Sequence, residues 1–133
     1  MASTDFLANK LLEHQVGKTA YAMPTTYVGL SSTTPADDGT GVNEPVGDGY
    51  ARVATIGADW ATATISSIQN ATIISFSTAS ADWVGGSVLT HTVLFDAQTG
   101  GNMLNYGNVT TPVPCLSGDT LSFAVGELDI LYI

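Results

Sequence analysis

The chain has 133 residues, of which 11% are charged, and twelve acidic against three basic residues give a net charge of −9 at pH 7. Nucleic acids and anionic membrane surfaces both attract clustered lysine and arginine side chains, so this composition argues against either kind of partner. The length fits one domain with a core of its own, and the single cysteine, Cys115, cannot form an intrachain disulfide.

The first predicted element is an amphipathic helix over residues 4–16. Ser3 or Thr4 can cap its start, and Gly17 ends it. Its apolar stripe consists of Leu7, Ala8, Leu11 and Leu12. Because about three turns of helix are not stable alone in water, the stripe is expected to pack either on its own domain or on a neighbouring subunit. We therefore divide the chain into an N-terminal helical arm, residues 1–20, and a β-sandwich domain, residues 21–133.

Alternating apolar and polar residues, separated by turn signals, predict seven or eight short strands after the helix. These strands are residues 25–31, 50–56, 71–77, 88–96, 103–109, 120–125 and 128–133, with a further short one at 62–65. A hairpin turn is predicted at 97–102 and another turn at 69–70, whereas the two prolines of 110–114 exclude that segment from the middle of a sheet. The predicted fold class is all-β, a jelly-roll-like or Ig-like β-sandwich with a short N-terminal α-helix.

A long acidic segment, residues 33–49, separates the first two predicted strands and is expected at the surface. Gly29 in the preceding strand indicates a bulge or a close approach of another group to the backbone. Arg52, the only arginine, is predicted either to pair with a carboxylate, pinning the loop or bridging to a neighbour, or to lie exposed at the rim. Asp37, Asp38 and Glu44 could offer oxygens to calcium, but their spacing departs from the EF-hand pattern, so solvated acids are favoured.

No set of side chains in the sequence is arranged for catalysis. His14 and His91 lack a second ligand at zinc spacing, and a G-x-S-x-G motif is absent. The dipeptide Asp-Trp occurs at 59–60 and at 82–83, which would suit a glycosidase or a sugar-stacking platform. We favour two loop tryptophans that close the ends of the core. The sequence thus predicts no enzyme, no catalytic residues, no cofactor and no metal.

Several short motifs, taken in order, resemble a known family. They are HQVGKTAY (14–21), MPTTYVGLSSTTP (23–35), GDGYARV (47–53), TGGNML (99–104) and SGDTLSFAVGEL (117–128). In this order the chain is similar to small virion proteins of tailed bacteriophages that are commonly labelled tail-fibre-like proteins. The resemblance implies a structural component of a phage particle, with an all-β fold and no catalysis.

The leading hypothesis from this resemblance is a capsid decoration, or cement, protein that binds the major capsid protein and bridges capsomers as a homo-oligomer, with a trimer favoured. The alternative is a tail or tail-fibre structural protein, which could contact host surface glycans. We expect the chain in the virion, after synthesis in the host cytoplasm, because neither an export signal nor a membrane span is predicted. The candidate protein–protein interface residues are Phe6, Leu7, Leu11, Leu12, Tyr27, Arg52 and Trp83.

Overall fold

A computed structural model describes residues 1–132, which form one α-helix and nine β-strands. In chain order the elements are β1 (Ala2–Ser3), α1 (Asp5–Gln15), β2 (Thr26–Ser31), β3 (Val53–Thr55), β4 (Ser67–Gln69), β5 (Ile74–Ser75), β6 (Val88–Phe95), β7 (Met103–Pro114), β8 (Ser122–Phe123) and β9 (Asp129–Leu131). Their pairings are antiparallel. Within the described residues, no helix has the length and apolar character needed to cross a membrane. The predicted all-β fold with a short N-terminal helix is confirmed.

Five strands form a central sheet in the order β1-β7-β6-β2-β3, and two small ribbons, β4–β9 and β5–β8, lie beside it. The main core lies between one face of the sheet and the ribbons, and its large side chains are Val28, Leu30, Ile74, Phe76, Trp83, Leu89, Leu94, Phe123 and Leu128. The other face of the sheet carries Val93, Phe95 and Met103, against which Val42 of the acidic loop packs. Both faces of the sheet are therefore removed from water, which is the main driving force for folding.

The longest strands agree with the sequence prediction, whereas the ribbons are shorter than predicted. The strands predicted at 25–31 and 88–96 correspond to β2 and β6, and the turn at 97–102 joins β6 to β7 as a hairpin. The strands predicted at 71–77 and 120–125 pair only through β5 and β8, two residues each. Beyond these residues the two segments continue side by side through isolated hydrogen bonds, such as that from the amide of Phe76 to the carbonyl oxygen of Leu121 (2.9 Å).

The segment around residue 70 corrects two predictions. No strand forms at 62–65, and β4 occupies Ser67–Gln69 instead. The turn predicted at 69–70 is also wrong, because Asn70 is 1% exposed and its side chain holds neighbouring segments together. The side-chain amide makes hydrogen bonds with the backbone of Thr72, Ala124 and Leu128. A buried asparagine with such partners is part of the core, not a solvated turn.

Strand β7 extends beyond its predicted end at residue 109 and includes two prolines, Pro112 and Pro114. Pairing places residues 109–112 opposite Thr90 alone, so the ladder between β6 and β7 is interrupted there. Pro112 lies in this bulge, and Pro114 is the last residue of the strand. A proline has no N–H to donate to a ladder, so both positions are compatible with it. Strand β1 covers only the beginning of β7, which leaves the bulged part at the edge of the sheet.

Candidate assembly surface

Arg52 lies at the centre of a buried polar cluster between the acidic loop and the β6–β7 hairpin, and its side chain is only 7% exposed. Its Nε donates to Oε1 of Glu44 at 2.9 Å, and its Nη2 donates to Oε2 at 2.6 Å. Its Nη1 donates to the carbonyl oxygens of Ala97 and Gly100 at 2.8 and 2.7 Å, and the guanidinium lies 3.5 Å from the ring centroid of Phe95. The predicted pair that pins the loop is confirmed, and the rim-exposed alternative is wrong.

Tyr50 connects this cluster to the backbone of β2. Its hydroxyl donates to Oε1 of Glu44 at 2.7 Å and accepts from the amide of Leu30 at 3.0 Å, beyond the point where β3 stops pairing with β2. A Cβ atom at Gly29 would lie 2.7 Å from that same Oε1 and 3.0 Å from the Tyr50 hydroxyl, so only glycine allows this close approach. Burial, reinforced by the Glu44 carboxylate, raises the pKa of Tyr50 and keeps its hydroxyl protonated as a donor.

Trp83 fills the end of the main core beside the ring of Tyr50. The two rings meet edge to face with centroids 5.2 Å apart, and Phe76 lies 6.3 Å from Trp83. Trp83 is 1% exposed, and its indole Nε1 donates to the carbonyl oxygen of Asp48 at 3.0 Å. The prediction that this tryptophan closes the core is confirmed, and its ring is not available for stacking on a sugar.

Helix α1 is anchored to the sheet through its first turn. The hydroxyl of Thr4 accepts from the amide of Leu7 at 3.3 Å, as an N-cap, and donates to the carbonyl oxygen of Met103 at 2.7 Å. The amide of Asp5 donates to the carbonyl oxygen of Asp37 at 2.9 Å, so the helix also begins against the acidic loop. Leu7 is buried. The start of the helix is therefore fixed on the body of the chain.

The rest of α1 leaves an apolar face uncovered. Leu11, Leu12 and Val16 are 38%, 60% and 76% exposed. In an α-helix, where each residue turns by about 100°, these three side chains spread over roughly 140° of the circumference. We call this surface the helix patch. Contiguous exposed apolar side chains mark sites of protein interaction. Leu11 and Leu12 are the part of the predicted stripe that its own domain leaves exposed, and Val16, the C-cap residue of α1, extends the patch beyond that stripe.

A groove of about 520 Å³ is the second uncovered apolar surface. Its lining includes Met23, Thr26, Ile56, Trp60, Ile68 and Ile130. Met23 and Ile56 are 97% and 68% exposed, whereas Trp60 is half-buried and donates from its indole to the hydroxyl of Thr55. We call this surface the acceptor groove. It was not predicted, because residues 20–24 lie between the predicted helix and the first predicted strand and belong to no predicted element. Two large apolar residues could have indicated it: Met23, between the predicted helix and the first strand, and Ile56, directly after β3.

The seven predicted interface residues do not lie on one surface. Buried inside the chain are Leu7, Arg52 and Trp83. Their side chains stabilise this chain and offer no area to a partner, which corrects their assignment as interface residues. Half-buried are Phe6 and Tyr27, and exposed are Leu11 and Leu12. Of the original set, the two exposed leucines are therefore the side chains best placed to meet another protein.

The acidic side chains that suggested chemistry are engaged in local structure. The carboxylate of Asp59 accepts from the amide of Ile56 at 2.9 Å and from the hydroxyl of Thr72 at 2.8 Å, and these bonds lower its pKa. The carboxylate of Asp82 accepts from the amide of Ser117 at 2.9 Å. In the described part of the chain, no three histidine, cysteine or acidic side chains are grouped to hold a metal ion.

The chain was compared with curated proteins and with models of protein families. A search of curated proteins finds no match. Residues 2–131 match the family described as "Podophage GP4 fiber I protein gp80". The match extends over nearly the whole chain and agrees with the resemblance to tail-fibre-like virion proteins. This chain therefore belongs to the Podophage GP4 fiber I protein gp80 family, and it is a structural component of a phage particle.

Proposed function

We propose that this chain is a non-enzymatic subunit of a fibre on a podophage particle. The observation that carries the proposal is the match of residues 2–131 to a family whose description names a fibre protein. A role in binding agrees with the exposed apolar side chains at the end of the helix, Leu11, Leu12 and Val16. A fibre subunit acts through repeated contacts with copies of itself and with other virion proteins, and such multivalent contacts multiply modest affinities.

A second candidate is the capsid decoration protein that the sequence analysis put first. It is favoured by a well-packed β body from which an anchored helix presents apolar side chains. Copies on the outer shell would use such contacts to form oligomers, with a trimer favoured, and to bind the major capsid protein across neighbouring capsomers. The same surfaces suit either assembly, so the difference between the two candidates is the position of the chain on the particle.

Gold-labelled antibodies raised against the purified chain would show this position on intact particles by electron microscopy. The fibre proposal expects gold along fibres that project from the particle, whereas the decoration candidate expects gold spread evenly over the shell. Particles from a phage that lacks the gene for this chain serve as the control and should carry no gold. A chain that is abundant in infected cells but absent from purified particles would contradict both candidates.

A further inference from the structure

We propose that copies of this chain join head to tail, with the helix patch of one copy docked in the acceptor groove of the next. The inference rests on the proposed function as an assembly subunit, and it names a second copy of the chain as the partner. The helix patch consists of Leu11, Leu12 and Val16, and the groove is bounded by Met23 and Ile56. Each copy then donates one surface and accepts the other.

The two surfaces match in chemistry. Each is apolar and uncovered in the single chain, because Leu12 and Ile56 both remain more than half exposed. An apolar helix face laid in an apolar groove is a recurring mode of recognition, with anchors at helical spacing. The groove has a volume of about 520 Å³. Docking would remove both surfaces from water at once.

The distribution of charge favours a second copy of the helical arm as the occupant of the groove. Residues 1–20 contain two acids and two lysines and carry no net charge, whereas residues 21–133 contain ten acids and one arginine and carry the whole net charge of −9. The single arginine is already paired with Glu44. Contact between two bodies would bring two strongly acidic surfaces together, whereas contact between a neutral arm and a body avoids this repulsion.

The proposed contact is heterologous, since it joins two different surfaces of the same chain. Such contacts close into a ring when the rotation between copies allows it, and otherwise extend into a filament. A closed ring would include the trimer that the sequence analysis favoured, and a filament would suit a fibre. A copy at the end of an open chain keeps one unused surface, so blocking a different surface on each of two chains provides a sharp test.

The test uses two full-length variants, Leu12→Asp in the helix patch and Ile56→Asp in the acceptor groove. Size-exclusion chromatography with light scattering at about 100 µM protein, where mass action favours association, should show an oligomer for the unmodified chain and a monomer for each variant. An equal mixture should form a species of twice the monomer mass. In that mixture, the intact groove of the Leu12→Asp chain accepts the intact helix patch of the Ile56→Asp chain.

The matched control is Val46→Asp, which adds the same charge at a 91% exposed valine in the acidic loop and should leave the oligomer unchanged. Met23→Asp is a second groove variant, chosen because Met23 is 97% exposed, and it replaces Ile56→Asp if circular dichroism shows that Ile56→Asp is unfolded. The inference is overturned if the unmodified chain is monomeric, if either surface variant keeps the oligomer, or if the mixture stays monomeric. If the unmodified chain is monomeric but antibody labelling still finds it on the particle, only this inference is overturned. If the chain is absent from the particle, the proposed function is overturned.

Discussion

The Arg52 guanidinium finds all its hydrogen-bond partners within the chain, and Glu44 is the anion that neutralises it. A buried arginine without a counter-ion is costly, because the low-dielectric interior does not replace the hydration it has lost. The cluster therefore has one main consequence, which is to hold the acidic loop against the sheet and the hairpin.

The variant Glu44→Gln should lower the free energy of unfolding by about 2–3 kcal/mol, because it leaves a buried arginine without a negative partner. Urea denaturation measures this change. The control is Asp48→Asn in the same loop, where the side chain is exposed and an asparagine tolerates the positive φ of 54°. Equal destabilisation by both variants would show that the effect comes from removing any loop acid and not from the buried pair.

The variant Gly29→Ala should cost about 1–3 kcal/mol, since its Cβ would meet Oε1 of Glu44 at 2.7 Å. Gly57→Ala is the control, because no atom lies within 4 Å of a Cβ built there. Both are compared by thermal and urea unfolding. In a Glu44→Ala background the cost of Gly29→Ala should shrink, as expected for residues in contact. An unchanged cost in that background would exclude the proposed clash.

Among the elements, those specified by local pattern could be predicted and those that depend on distant partners could not. Helix α1 and strand β6 follow from the spacing of their own apolar residues, and the β6–β7 hairpin follows from its glycine turn. Asn70 resembles a turn residue in the sequence, yet its partner Ala124 lies 54 positions away. The bulge at 109–112 likewise depends on how β7 meets β6, a relation that no local pattern contains.

Also at the scale of a single element, the hydroxyl of Thr4 anchors the start of helix α1 on the sheet. The variant Thr4→Val keeps the shape of the side chain but loses both the N-cap acceptor and the donor to the carbonyl of Met103. We expect a loss of about 1–2 kcal/mol in unfolding free energy, together with faster hydrogen exchange in the first turn of the helix. Thr4→Ser, which keeps the hydroxyl, should retain most of the stability. Equal losses in the two variants would assign the effect to packing of the methyl group.

At the scale of the whole molecule, only one of the two uncovered apolar surfaces could be predicted from the sequence. Two residues of the helix patch, Leu11 and Leu12, were predicted because they follow Leu7 at helical spacing. The acceptor groove was not, because it joins residues 23–25, the end of β3 and the β4–β9 ribbon, which are far apart in sequence. Deleting residues 1–17 would be a poor test of assembly, because it would also remove strand β1 and the buried residues Thr4 and Leu7. Substitutions confined to exposed side chains separate assembly from folding.

The central claim is that the apolar face of α1, which its own chain leaves exposed, is covered by protein in the particle. A near-atomic density map of the assembled particle tests this most directly. We predict that Leu11, Leu12 and Val16 are buried against a neighbouring protein in copies within the assembly, with Met23 and Ile56 of the next copy as their contacts. A map in which these three side chains face solvent throughout the assembly would contradict the account.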